Sequence, residues 1–101
     1  MNSFVTNLYM KPTPGATSQR LLPTASTVAS FAAVKSATKS VSFDIQSEDV
    51  FMTIDGSTPT STNGHKLYAG RAYTISSGSA KVAKFISASG TAAIFSSELT
   101  T

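Results

Sequence analysis

Val50-Phe51-Met52-Thr53-Ile54-Asp55-Gly56-Ser57-Thr58-Pro59-Thr60-Ser61-Thr62-Asn63-Gly64-His65-Lys66-Leu67-Tyr68-Ala69-Gly70-Arg71-Ala72-Tyr73-Thr74-Ile75 reads as a strand, an elaborate turn and a second strand. Val50, Met52 and Ile54 alternate with Phe51 and Thr53, the period of two expected of a half-buried strand. Asp55 supplies a side-chain acceptor, and Gly56 can take a positive φ at no steric cost. Pro59 fixes one corner, Asn63-Gly64 marks another, and the chain resumes at Leu67 as a strand bent at Ala69-Gly70. The turn residues are Asp55, Gly56, Pro59, Gly64 and Gly70.

Outward from this stretch the same pattern recurs. Val41, Phe43 and Ile45 point one way and Ser40, Ser42 and Asp44 the other, so 40–45 is a strand. The polar run Gln46-Ser47-Glu48-Asp49 makes 40–54 a hairpin. Thr27–Lys35 reads as a first strand, although Val28, Phe31 and Val34 at intervals of three also suit a short helix. Ser76–Ser79 reads as a loop, with a helical turn near Ala80 allowed by the spacing of Val82, Phe85 and Ile86. Val82–Ala88 and Thr91–Ser96 form a last hairpin across Ser89-Gly90. Strands repeating every 8–12 residues or so indicate a sandwich or small barrel.

Composition agrees. Seventeen serines and 14 threonines make up 31 of the 101 residues, and charged residues are only 13%. A helical bundle needs far more Lys, Glu and Leu, whereas Thr, Val, Ile, Phe and Tyr suit a pleated surface. A hydrophobic content of 41% is too high for a disordered chain. The class is all-β: one small β-sandwich, Ig-like or jelly-roll-like.

Residues 1–24 differ from the rest. Phe4, Val5, Leu8, Tyr9 and Met10 cluster, and Pro12, Pro14 and Pro23 follow with Gly15 among them. Proline lacks a donor and drives its predecessor towards extended geometry. This segment is expected to be an extended N-terminal arm preceding a sandwich of residues 25–101. The arm would lie as an edge strand on its own sandwich or dock its five apolar residues on a neighbouring subunit, with the second reading slightly favoured.

Chemistry-bearing residues are few. The single histidine, His65, sits in a Gly- and Ser-rich loop with no orienting acid or nucleophile in any motif. Asp44, Glu48, Asp49 and Asp55 match no calcium-loop spacing, and Asp44 and Glu98 cannot be paired by spacing. The glycines lie outside a phosphate-loop setting. With no cysteine there is no thiolate site or disulfide framework. Neither cofactor nor catalytic residue is expected. Eight basic residues against five acids give +3, but the cations are scattered, which argues against nucleic-acid binding by a concentrated patch. That reading would need Lys35, Lys39, Lys81 and Lys84 on one face. No apolar run approaches the roughly 20 residues of a membrane span, and no signal peptide is evident, so use without secretion is expected. Alternation sends most phenylalanines inside. Tyr68 and Tyr73, beside Arg71, are the best candidates for surface recognition.

Three runs carry a resemblance: Val50-Phe51-Met52-Thr53-Ile54-Asp55-Gly56 with Pro59-Thr60, then Gly64-His65-Lys66-Leu67-Tyr68-Ala69-Gly70, then Ala83-Lys84-Phe85-Ile86-Ser87-Ala88-Ser89-Gly90-Thr91-Ala92. Together, from Ser40 to Leu99, they are similar to a family of small structural proteins encoded among the head genes of tailed bacteriophages. The matching residues are turn and core residues, so they speak to fold and context more than to activity. The resemblance implies a non-enzymatic virion protein, assembled in the host cytoplasm. It would be a capsid decoration or cement protein that binds the major capsid protein in multiple copies, as a homo-oligomer or otherwise. A head-to-tail or tail component is the alternative. Thr53-Ile54-Asp55-Gly56-Ser57-Thr58-Pro59-Thr60 also resembles a motif of immunoglobulin-like accessory domains attached to glycoside hydrolases, which implies carbohydrate binding through exposed Tyr68 and Tyr73. The short chain with its own Met1 favours the virion reading.

Overall fold

The computed structural model describes residues 10–101. Among these residues, eight strands and one helix follow in the order β1 (Lys11–Pro12), β2 (Gln19–Leu21), β3 (Ser40–Gln46), β4 (Val50–Thr53), β5 (His65–Leu67), β6 (Ala72–Ser76), α1 (Ser77–Val82), β7 (Lys84–Ser87) and β8 (Ala93–Thr100). They form two antiparallel sheets: β1-β8-β3-β6, with β2 also paired to β8, and β5-β4-β7. The protein is a small β-sandwich.

Alternation explains the interior. On β3, Val41, Phe43 and Ile45 are buried while Ser40, Ser42 and Asp44 are half-buried on the opposite side. Across the core stand Val50, Met52, Leu67 and Phe85 of the smaller sheet, with Ile94 of β8 beside Phe43 and Ile45. Phe31, Phe43 and Phe85 form a tilted and edge-to-face trio, with ring centroids 5.3 to 5.8 Å apart. That geometry suits the aromatic quadrupole. Each fully buried side chain of this size contributes about 1.5–3 kcal/mol of transfer free energy.

Both expected hairpins are corrected. The 46–49 turn exists, with Ser47 at φ 69°. The strands it joins part company, however: β3 pairs with β6 and β8, and β4 with β5 and β7. Likewise β7 and β8, flanking Ser89-Gly90, belong to opposite sheets. In each case the apolar sets on either side of the turn bury against one another across the core, so the strands face each other instead of pairing. The strand expected over 67–75 is likewise divided: β5 and β6 lie in different sheets, and Tyr68–Arg71 is the corner between them.

Thr27–Lys35 is neither strand nor helix. It meets β7 through one bridge, Ala29 with Phe85, both N–H groups donating at 2.9 Å. Gln19 Oε1 then accepts from the Ala32 N–H at 2.7 Å, which ties the segment to the larger sheet. An alanine-rich segment in which only Phe31 reaches the aromatic trio has too little apolar surface for a ladder of its own, and it closes one side of the sandwich instead. The expected loop at 76–79 is largely α1, capped by Ser76, whose Oγ accepts from Ser79 N–H at 3.2 Å. Ala80 turns inward there, and Gly78 lies within the helix.

Within the expected arm, residues 11–21 lie along β8. Lys11 pairs with Thr100 and Pro12 with Leu99, then Gln19, Arg20 and Leu21 pair with Ser96, Phe95 and Ile94. Pro14 and Gly15 supply the bend between them, where Pro costs the ladder nothing. This stretch is an edge of its own sandwich, so the sandwich starts ahead of residue 25. Of the expected arm contacts, Met10 is half-buried, and Phe4, Val5, Leu8 and Tyr9 lie outside the described residues.

Candidate interaction surface

The 55–64 loop is held by its own polar groups. Asp55 Oδ1 accepts from the Ser57 N–H at 3.0 Å and from the Ser57 hydroxyl at 2.6 Å. The Ser57 hydroxyl, followed by the Ser57 N–H, holds the Asp55 carboxyl below its ordinary value. Thr53 Oγ1 donates to Ser57 O at 2.6 Å, and Asn63 Nδ2 donates to Thr58 O at 2.9 Å. Pro59 is fully buried. Gly56 and Gly70 stand at φ +84°, and Gly64 at φ +145° lies where a Cβ would come 3.1 Å from the Met52 carbonyl oxygen. The five turn residues therefore shape backbone. Between Ile54–Asp55 and Asn63–His65 the loop leaves an open cleft of about 240 Å³. His65 lies on its rim, exposed, at the start of β5.

Tyr68 opens the Tyr68–Arg71 corner, and Tyr73 follows it on β6. Tyr68 is 47% exposed. Tyr73 is half-buried, its ring 5.9 Å from that of Phe43, and its hydroxyl oxygen accepts from the Tyr68 N–H at 2.9 Å. The two rings do not form a side-by-side platform: Tyr73 braces the corner from within and Tyr68 is displayed by it. Asp49 Oδ1 fixes the next residue, accepting from the Ala69 N–H at 2.8 Å. Lys66 Nζ and Arg71 Cζ stand 5.5 and 5.6 Å from the centre of the Tyr68 ring, within the range of cation–π attraction. Lys66 also meets Asp49 at 3.9 Å, the one ion pair among the described residues.

A third polar group went unread in the sequence. Glu98 is 6% exposed, and its Oε1 accepts from the Lys35 N–H at 2.8 Å and from the Thr38 hydroxyl at 2.7 Å. Thr38 in turn shares a 3.0 Å hydrogen bond with the buried Thr13. Alternation along 93–100 is the signal that could have placed Glu98 inward, in line with Ile94 and Ser96. These groups hold the 35–38 turn against the end of β8. Among the described residues no group of three or more His, Asp or Glu could hold a metal ion, and no helix is long and apolar enough to cross a membrane.

Among the described residues, the large apolar side chains left exposed are Leu22, Ile54, Tyr68, Val82 and Phe95. Phe95 is an exception to the inward placement expected of most phenylalanines: it sits on the outer side of β8, opposite Arg20 and Asp44. Phe51 is half-buried, on the face of β4 opposite to Val50 and Met52. Of the four lysines that a nucleic-acid face requires, Lys84 lies in the smaller sheet opposite Thr53, while Lys39 flanks the larger one, its carbonyl accepting from the Ser77 N–H. Comparison with protein-family models, with curated proteins and with solved structures returned no match.

Proposed function

We propose that the chain is a non-enzymatic structural protein of a tailed-phage particle, a decoration or cement protein that binds the major capsid protein on the outer shell in multiple copies. The reading rests first on the resemblance of Ser40–Leu99 to the phage head-associated family. The observation that carries it further is how the polar side chains are used. Asp49, Asp55 and Glu98, three of the five acids, give their oxygens to backbone N–H groups of the protein itself. Tyr68 and Phe95 meanwhile remain 47% and 44% exposed on a well-tied scaffold. Rigid turns that display aromatic side chains suit binding to a surface.

Carbohydrate binding through paired tyrosines is the weaker reading, because Tyr73 packs on Phe43. The test is mass spectrometry of particles purified from infected cells by density gradient. The chain is expected in a fixed ratio to the major shell protein. Recovery only in the soluble fraction would refute a virion role.

A further inference from the structure

The outer face of the three-stranded sheet brings apolar and cationic side chains together. Across its middle, Phe51 of β4 stands directly between Lys66 of β5 and Ile86 of β7. Their neighbours Val50, Leu67 and Ser87 point into the core, so this row faces outward. Phe51 and Ile86 are half-buried, forming a shallow apolar strip. Beside the strip Tyr68 stands exposed, with Lys66 and Arg71 against its ring, and Lys84 lies one step along β7. Asp49 is committed to Lys66 and to the Ala69 N–H. Arg71 has no carboxylate within ion-pair distance among the described residues.

The outer side of the larger sheet carries one aromatic with mixed charge beside it: Phe95 stands between Arg20 and Asp44. Next to it, Ser40, Ser42 and Asp44 of β3 oppose Ser76, Thr74 and Ala72 of β6, a row of small side chains.

We infer that the outer face of the β5-β4-β7 sheet is the protein's docking surface, and that its partner is an acidic protein surface presenting carboxylates around an apolar side chain. The argument is charge complementarity joined to interface anatomy. An apolar centre flanked by Tyr and Arg is the composition of binding hot spots. A guanidinium without a carboxylate offers two parallel donors to a partner's Asp or Glu. The braced corner keeps Tyr68 and Arg71 in place beforehand, so little ordering is lost on binding. A nucleic acid would also meet the cations, but the face is centred on Phe51 and Ile86, and the lysines are not gathered in a run.

This inference deepens the virion reading, which supplies the shell as the natural partner, yet it can be tested apart from it. The full chain, labelled with ¹⁵N, is titrated with a synthetic peptide of alternating Glu and Leu and, separately, with oligothymidylate. Amide shifts confined to Phe51, Lys66, Tyr68, Arg71 and Ile86 with the peptide are expected. Shifts elsewhere, no shifts, or shifts with the oligonucleotide alone would overturn the inference. Arg71→Glu and Tyr68→Ala, if they melt as the wild type does, are expected to weaken peptide binding about tenfold or more. In parallel, undecorated shells are mixed with each protein. Wild-type binding that both variants retain overturns the docking face and leaves the decoration role standing. Peptide shifts on the face without shell binding leave the face standing and remove that role.

Discussion

The hydroxyl of Thr38 donates to Glu98 Oε1 at 2.7 Å, joining a turn before β3 to the last strand of the sandwich. Both side chains are buried, and the same carboxylate oxygen takes the Lys35 N–H. This bond closes the end of the larger sheet where Thr13 and Lys39 also meet β8, through Thr13 N–H to Glu98 O and Lys39 N–H to Leu99 O.

Glu98→Ala leaves two donors without their acceptor, and a buried unsatisfied donor costs roughly 1–3 kcal/mol. The variant is expected to melt several degrees lower, since about 1 kcal/mol moves the midpoint of a domain this size by roughly 4–8 °C. Glu98→Gln keeps an acceptor and is expected to lose less. Equal melting of all three proteins in calorimetry would show that the carboxylate is not holding the turn.

Gly64 and Gly56 both have positive φ but differ in surroundings. Gly64 faces the Met52 backbone, and Gly56 faces open space. Valine at either position meets a backbone strain of about 1–3 kcal/mol, and at Gly64 it also presses on a carbonyl that cannot move without disturbing β4. The expected order of stability in urea is wild type, then Gly56→Val, then Gly64→Val. Wild-type midpoints for both would contradict the loop geometry.

Asp55 gives a pH dependence of definite sign. Its folded-state carboxyl is held below the ordinary 3.8, so the ionised form is the one the fold favours. Its contribution to stability is fully present above about pH 4 to 5 and is lost as the pH falls through the folded value. The group is exposed, so the effect is small. Against Asp55→Asn, the wild type is expected to lose its advantage as the pH drops from 5 towards 2. A difference in melting temperature that stays constant over that range would refute it.

The phenylalanines separate by position. Phe85 is fully buried within the aromatic trio, whereas Phe95 is 44% exposed. Phe85→Ala is expected to cost about 3–5 kcal/mol, enough to unfold much of a small domain. Phe95→Ala, on the outer face of β8, is expected to change stability by well under half of that. Comparable losses in equilibrium denaturation would overturn the assignment of inside and outside.

The legible parts of the fold were those written locally. The alternation of 40–45 placed Val41, Phe43 and Ile45 inward, and Asp55-Gly56 and Asn63-Gly64 marked real turns. Pairing was not local, and that is where the reading failed. A polar turn such as Gln46–Asp49 joins two strands whether they pair or cross between sheets, and only the burial of Val50 and Met52 against Phe43 decides which. The same holds for the surface. Sequence could set Tyr68 and Tyr73 five residues apart beside Arg71, but the corner at Gly70 sends one ring outward and the other onto Phe43. The row Lys66-Phe51-Ile86 draws on three separated segments and exists only once β4 lies between β5 and β7.

The most direct test of the proposed decoration role is co-sedimentation of the purified full chain with empty, undecorated capsid shells of a tailed phage whose head genes include this sequence. The role predicts saturable binding at a ratio set by the symmetry of the shell, and the proposed docking face adds that this binding is lost when Tyr68 and Arg71 are replaced together. A full chain that stays in the supernatant at every shell concentration would contradict it.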